Sequence, residues 1–445
     1  MRNRLMLIAM VVGAWLGLKA VDYLVTGPAI LVLMGAVLTG MIIHSFWLLT
    51  AQRSWRKNDR ASKEEALLAV SDQDQAEAET WQPSVDIYVP AKNEARVIEK
   101  LVRNLFKLDY PKFDLWIIDD GSTDDTPSIL ESLKGEFSRL HVHQRPAGSR
   151  PGKSAALNEV LPLSKGEVIA VFDADAYVAP DFFKMTLPVL AGEGVGAVQA
   201  QKKIYEHQTG FLPEGQASEY ALDTYFQMGR DLIGGAVELR GNGELVKRTA
   251  LIDVGGWNNQ AITDDLDLSM RLLIHNWDVR FCPQAFVWEE AVTNLKSLLL
   301  QRRRWAEGSI RRYLDYIFPL NSPSRLSLVE RVDTLAFATF FAVPALVFLE
   351  AVSELMHFAS GGQTHSSSLL LVSMAVLMVA QFNLFMAIKL YRRKMSFWQT
   401  FTHSFEVNAY VFGHWLPCIF ISFCQIMFRP QASTWHRTEH VGHHM

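Results

Sequence analysis

Three stretches decide how this chain reads: VDIYVPAKNE (85–94), DLWIIDDGSTDDT (114–126) and EVIAVFDADA (167–176). Each is an apolar, β-branched run of strand length that stops on acidic, glycine or small polar residues. LHVHQ (140–144) and GAVQAQKK (196–203) have the same strand-like character. Between them lie helix-like segments: EARVIEKLVRNLF (94–106), TPSILESLKGEF (126–137) and KSAALNEVLPLS (153–164). Strands alternating with helices predict an α/β domain of the doubly wound type, with a parallel sheet. Ligands of such sheets bind beyond the carboxyl ends of the strands, so the polar residues after each strand are the candidates for chemistry.

The first strand ends in Pro90-Ala91-Lys92-Asn93-Glu94, the second in Asp119-Asp120-Gly121-Ser122-Thr123-Asp124-Asp125-Thr126. The second has two readings, a turn followed by a capped helix and a carboxylate that receives a ribose or base edge. The fourth strand ends in Asp173-Ala174-Asp175. In extended backbone, residues i and i+2 point the same way, and two facing carboxylates repel unless a cation lies between them. Oxygen ligands suit Mg²⁺ or Mn²⁺ shared with substrate phosphates. Arg150-Pro151-Gly152-Lys153-Ser154 is not a phosphate loop, because no glycine stands at position 147, but Lys153 near a helix start remains able to touch a nucleotide.

Further along, Thr263-Asp264-Asp265 precedes an apolar stripe of Leu266, Met270 and Leu273, which marks a helix start with Thr263 as its cap. Acidic residues in a first turn are commonly just dipole partners. The same dipole favours an ionised carboxylate, as a general base requires. In LKSLLLQRRRWAEGSIRRYLDYI (295–317), Gln301, Arg304 and Trp305 stand at i, i+3 and i+4 on one helical face. Arg302, Arg303, Arg311 and Arg312 point elsewhere, suited to anionic lipid headgroups.

The flanks are apolar. Runs 5–20 and 29–49 precede a polar linker (51–83), and runs 334–353, 369–390 and 405–428 follow the middle domain. Transmembrane helices are expected within 1–50 and 331–428, with a catalytic domain over 84–290, interfacial helices over 291–330 and a tail over 429–445. The last run carries Glu406, Asn408, His414 and Pro417, which leaves open whether it crosses fully. Lys and Arg flank the membrane ends at MRNR, 53–57 and 392–394 and are absent from 357–368, so the middle domain is expected in the cytosol of a multi-pass protein. Over 445 residues, a net charge of −4 argues against nucleic acid as the main partner, and three cysteines fit neither a disulfide framework nor a CxxC metal site.

Taken in order, DDGS, DxD, a Thr-led acidic pair and QxxRW resemble the family-two inverting glycosyltransferases, over roughly residues 84–315. The resemblance implies a GT-A-like, Rossmann-like domain for nucleotide-diphospho-sugars. It implies that Asp120 holds uridine, with Pro90, Glu94 and Lys153 also on the UDP-sugar, that Asp173 contacts the sugar nucleotide and that Asp175 binds Mg²⁺ or Mn²⁺. Asp265 becomes the base, with Asp264 in place of a usual Glu, and Asp264, Gln301, Arg304 and Trp305 hold the acceptor and diphosphate. RGNGEL (240–245) and RWAEGSIRRYLDY (304–316) look more like the cyanobacterial monoglucosyldiacylglycerol synthases, which implies UDP-glucose as donor and membrane diacylglycerol as acceptor. Two alternatives stand beside this reading: a processive synthase of a β-linked glucan or poly-N-acetylglucosamine, and a nucleotide-binding membrane receptor or transporter without transfer activity.

Overall fold

A computed structural model describes residues 42–57, 81–320 except 147, 326–338, 367–392 and 395–428, with a few isolated positions beyond them. Its centre is an eight-stranded sheet in the order β3-β2-β1-β4-β7-β6-β8-β5. The strands are β1 (Val85–Ala91), β2 (Phe113–Asp119), β3 (Leu140–Gln144), β4 (Val168–Val171), β5 (Tyr177–Val178), β6 (Val195–Ile204), β7 (Glu244–Lys247) and β8 (Asp278–Glu289). The first four are parallel, as expected. The sheet as a whole is mixed: β7 runs antiparallel to both β4 and β6, and β5 antiparallel to β8. The all-parallel expectation fails at β7 because pairing direction is set by the long return through the helix Phe211–Leu232, and no local pattern encodes it.

Both faces of the sheet are covered, which is why its central strands are nearly continuous apolar runs. Val85, Ile87 and Val89 face one cluster with Ile98, Leu101, Leu130 and Phe182. Tyr88, Ile169 and Val171 face the other, with Leu157, Leu251, Leu268 and Leu272. The helices Ile98–Leu105, Thr126–Glu136 and Phe182–Leu190 supply the first layer, and Lys153–Val160, Arg248–Asp253 and Asp264–Ile274 the second.

Register gathers one rim. Ala91 pairs with Asp119, and Val171 with Glu244, so β1, β2 and β4 end where antiparallel β7 begins. Beyond Gln199, β6 runs on past Glu244 beside β8, to Ile204 opposite Glu289.

The flanking helices dock onto this domain. Leu295–Leu320 packs on Phe397–Phe428 through Ala306, Ile310 and Leu314 against Cys418, Ile419, Phe423 and Ile426. Ser367–Tyr391 and residues 42–57 close on Phe211–Leu232 around Leu48, Tyr225 and Met386. Among the described residues one helix, Phe397–Phe428, is long and apolar enough to cross a membrane. It is continuous through Pro417, and several of its polar residues are satisfied locally: Asn408 donates to Gln381, which donates to Ser404 at 2.6 Å, and His414 is buried. Gln381 and Asn383, the polar exceptions in the 369–390 run, pin helices together, Asn383 bonding Ser45 at 3.0 Å. Residues 1–38 except 9 and 12, the linker 58–80, most of 339–366 and the tail 429–445 lie outside the described residues, and with them the expected first span and most of the 334–353 run.

Candidate active site

The rim loops are held by their own polar residues. After β1, Asn93 takes the left-handed conformation (φ 57°). Its side chain accepts the Thr123 N–H at 2.6 Å, and its own N–H donates to Ser122 Oγ at 2.8 Å. Asp119 accepts the Ser122 N–H at 2.9 Å, and Asp124 accepts those of Thr126 and Ala95 at 3.0 and 3.2 Å. The turn reading of DDGSTDDT holds for Asp119 and Asp124, while Asp120 takes no part in these turn bonds. Asp120 is ion-paired with Arg145 and lies 3.7 Å from Lys92. Arg145, which the sequence analysis passed over, also binds Glu159 at 2.7 Å. Pro90 is within β1 opposite Ile118, and Glu94 is buried, its carbonyl accepting the first N–H groups of the next helix.

Lys153 reaches across the rim, bonding Asp173 at 2.7 Å and the Gly241 carbonyl at 2.6 Å. Burial works against its charge, but Asp173, Asp264 and Glu244 outweigh it and raise the ammonium pKa above its ordinary value. The Asp173-Ala174-Asp175 segment is not extended as expected. β4 stops at Val171, and Asp173–Ala176 closes a turn through a 3.1 Å backbone bond. Asp173 is turned to Lys153, with its N–H on Asn242 Oδ1 at 3.2 Å, whereas Asp175 accepts the Glu290 N–H at 3.2 Å. The argument from two carboxylates on one side of a strand therefore fails. No cluster of three or more acidic, His or Cys ligands exists among the described residues. In donor chemistry, the carboxylate oxygens of Asp173 and Asp175 suit a hard divalent cation.

Opposite stands the start of the helix Asp264–Ile274. Thr263 occupies the cap position without a side-chain cap bond, a departure from expectation, while Leu266, Met270 and Leu273 are buried as expected. Burial and the neighbouring Asp264 push the Asp265 carboxyl up to about 6, against the Leu266 N–H, Lys153 and Arg240, which lower it. Desolvation and like charge outweigh the helix dipole, yet Asp265 stays mostly ionised at neutral pH. Glu244 lies beneath the same group and was not anticipated. Burial, with Asp265 and Asp264, pushes it up to about 8 despite Lys153 and a 3.1 Å bond from the Gly241 N–H.

Arg304 faces this acidic group. Burial lowers its pKa, and Asp264, Asp173 and Asp265 partly restore it. Trp305 packs by Ile204, Tyr220 and Ala291. Lys202, 5.7 Å from its ring centroid, pairs with Glu289 at 2.9 Å, which accepts from Asn242 at 3.1 Å. The expectation that Arg302 and Arg312 meet headgroups is overturned: both are buried, Arg302 on Glu219 and Arg312 on Glu238 at 2.8 Å, while Gln301 accepts from Arg302. Arg311 pairs with Glu307 along its own helix at 2.7 Å. A signal was available, since Leu298, Arg302, Ala306, Ile310 and Leu314 form one i+4 row that is apolar except for the arginine.

The model of the family described as glycosyltransferase like family 2 matches residues 83–308. The beta-monoglucosyldiacylglycerol synthase of Nostoc sp. is 41% identical over 372 residues, covering 81% of this chain and 77% of its own. The enzyme of the same name from Synechocystis sp. is 50% identical over 236 residues, 53% of this chain and 49% of that one. In fold, the chain is similar to a mannosyltransferase from Pyrobaculum calidifontis, in complex with GDP-Man and Mn2+, with a TM-score of 0.57 at 20% identity, over 89% of this chain and 99% of that one. A mixed sheet of the GT-A type, the four ordered motifs and a family match across half the chain lead to one conclusion: this protein is a member of glycosyltransferase family 2.

Proposed function

We propose that this enzyme moves glucose from UDP-glucose to the free hydroxyl of 1,2-diacylglycerol, giving β-monoglucosyldiacylglycerol by inversion. The observation that carries the reading is a buried carboxyl, Asp265, with Arg304 facing the same acidic group across the rim, in a chain 41% identical to a synthase of that name. Asp265 takes the acceptor hydroxyl proton as its oxygen bonds to the anomeric carbon, and the bond from that carbon to the diphosphate oxygen breaks. UDP leaves with the electron pair. Asp120 with Arg145 and Lys92 is placed for the uridine end, and Lys153 and Asp173 for the sugar diphosphate. Arg304 faces the developing negative charge, where a preorganised cation is worth most. Asp175, with Asp173 beside it, would hold a divalent cation, which would add to the neutralisation of that charge. Asp264, Gln301 and Trp305 complete the acceptor side.

Diacylglycerol presents its hydroxyl at the bilayer surface, and the site belongs at that height. The first turns of Phe397–Phe428 support this, because Phe397, Trp398, Phe401 and Phe405 are exposed there as interfacial aromatics would be. The proposal extends to a multi-pass topology with a cytosolic catalytic domain, for which the apolar runs and the Lys/Arg bias are the support, with one spanning helix, Phe397–Phe428, among the described residues.

Membranes containing the enzyme, given radiolabelled UDP-glucose and diacylglycerol, should yield a chloroform-soluble product. EDTA should abolish it and Mg²⁺ or Mn²⁺ restore it. A high-mass or insoluble product would assign the chain to polymer synthesis, and indifference to chelation would remove the cation from the reading.

A further inference from the structure

Glu219 lies midway along Phe211–Leu232, outside every motif considered above, and two other helices converge on its carboxylate. Arg302, fully buried, closes a fork on it, Nε at 3.0 and 3.2 Å from the two oxygens and Nη2 at 2.6 Å. From Phe397–Phe428, Tyr410 Oη donates at 3.3 Å and Trp415 Nε1 at 2.7 Å, and His414 Nε2 stands 3.8 Å away. The Arg302 guanidinium also lies over the Trp305 indole, 4.1 Å from its centroid. Burial alone would raise the Glu219 carboxyl, but the Arg302 charge and the hydrogen bonds from Arg302 hold it well below the usual range.

Such a buried pair is a poor stability device, since well-packed apolar residues in its place often do as well or better. What a fork does provide is a fixed plane. A guanidinium gripped at two nitrogens cannot rotate, and an aromatic ring stacked on it inherits that orientation. We infer that Glu219 is a positioning residue for the lipid acceptor: it locks Arg302, Arg302 sets the plane of Trp305, and Tyr410 and Trp415 tie that plane to the C-terminal apolar helix. This rests on the reading of Trp305 as an acceptor-side residue.

Removing Glu219 alone strands a buried cation and endangers folding, so the informative variant removes both charges. In Glu219→Gln/Arg302→Met, the melting temperature and UDP binding should stay near wild type, while KM for diacylglycerol rises about tenfold or more at nearly unchanged KM for UDP-glucose. Arg302→Lys, which keeps the charge but not the fork or the flat stack, should show the same split. Hydroxyl-radical footprinting read at Trp305 by mass spectrometry tests the positioning without any acceptor, with oxidation expected to rise in both variants. Unchanged oxidation at Trp305, or an unchanged KM for diacylglycerol in a folded double variant, would overturn the inference. A wild-type enzyme that makes no glucolipid would instead remove the proposed acceptor, leaving the footprint to decide the role of Glu219.

Discussion

Asp265 sits where two demands meet. A general base must be ionised at working pH, yet burial and Asp264 push its carboxyl up to about 6. In an unfolded chain an aspartate titrates near about 3.9. Between these values the folded state holds the proton more tightly, so its contribution to stability falls as pH rises from about 4 to 6 and stays low above that. Asp265→Asn should therefore raise the melting temperature at pH 7.5 by a few degrees while lowering kcat by about 10²–10⁴-fold with donor binding intact. Calorimetry and single-turnover assays check the two halves separately, and a wild-type acid limb in kcat/KM near pH 6 checks the base itself. Glu244 follows the same sign over a wider window, because it is pushed up to about 8 and is protonated at neutral pH. Glu244→Gln imitates that neutral form. Its melting temperature should depend less on pH between about 5 and 8 than that of the wild type, with kcat at pH 7 little changed; a large loss of kcat would mean that the ionised form matters.

At the scale of elements, the decisive contact is between the start of Asp264–Ile274 and the middle of Leu295–Leu320. Gly308 makes it possible. A Cβ there would lie 2.4 Å from Thr263 Cγ2 and 2.5 Å from Oγ1, so the helices could not keep their separation. Glycine inside a helix costs about 1 kcal/mol relative to alanine, a local penalty tolerated for close approach. Gly308→Ala should therefore destabilise by about 1–3 kcal/mol despite its better helix propensity. It should also reduce turnover by moving Arg304 away from Asp264 and Asp265, and Thr263→Ala in the same chain should recover part of both. An alanine variant as stable and active as the parent would show that the two helices are not in close contact.

At the scale of the whole molecule, the described helices Ser367–Tyr391 and Phe397–Phe428 pack directly on the helices of the sheet domain. Ala306, Ile310 and Leu314 bury themselves on Phe397–Phe428, and the Glu219 pair completes its hydrogen bonds there. Carbonate washing should leave the protein in the membrane fraction, because the apolar length of that helix is insensitive to charge screening. Release into the supernatant would contradict a spanning helix.

Much of the catalytic half was legible in local pattern. The four parallel strands, the helices behind them and the order of the acidic motifs at strand ends follow from periodicity and turn residues, which act over a few positions. Asp120 and Asp173 follow β2 and β4 at the same sheet edge because the strand ends are in register, whereas Lys153, Asp265 and Arg304 reach the acidic group from helices. What tertiary structure alone decided is which partner each of those groups meets. The antiparallel seating of β7 depends on a pairing made across more than seventy residues. The turn at Asp173–Asp175 depends on Asn242 and Glu290, both distant in sequence. The apolar i+4 row around Arg302 hints that it turns inward, but its partner is set only in three dimensions, by Glu219 eighty-three residues earlier. Short-range preferences are written in the order of residues, whereas the desolvation and pairing of a charge are properties of the packed whole.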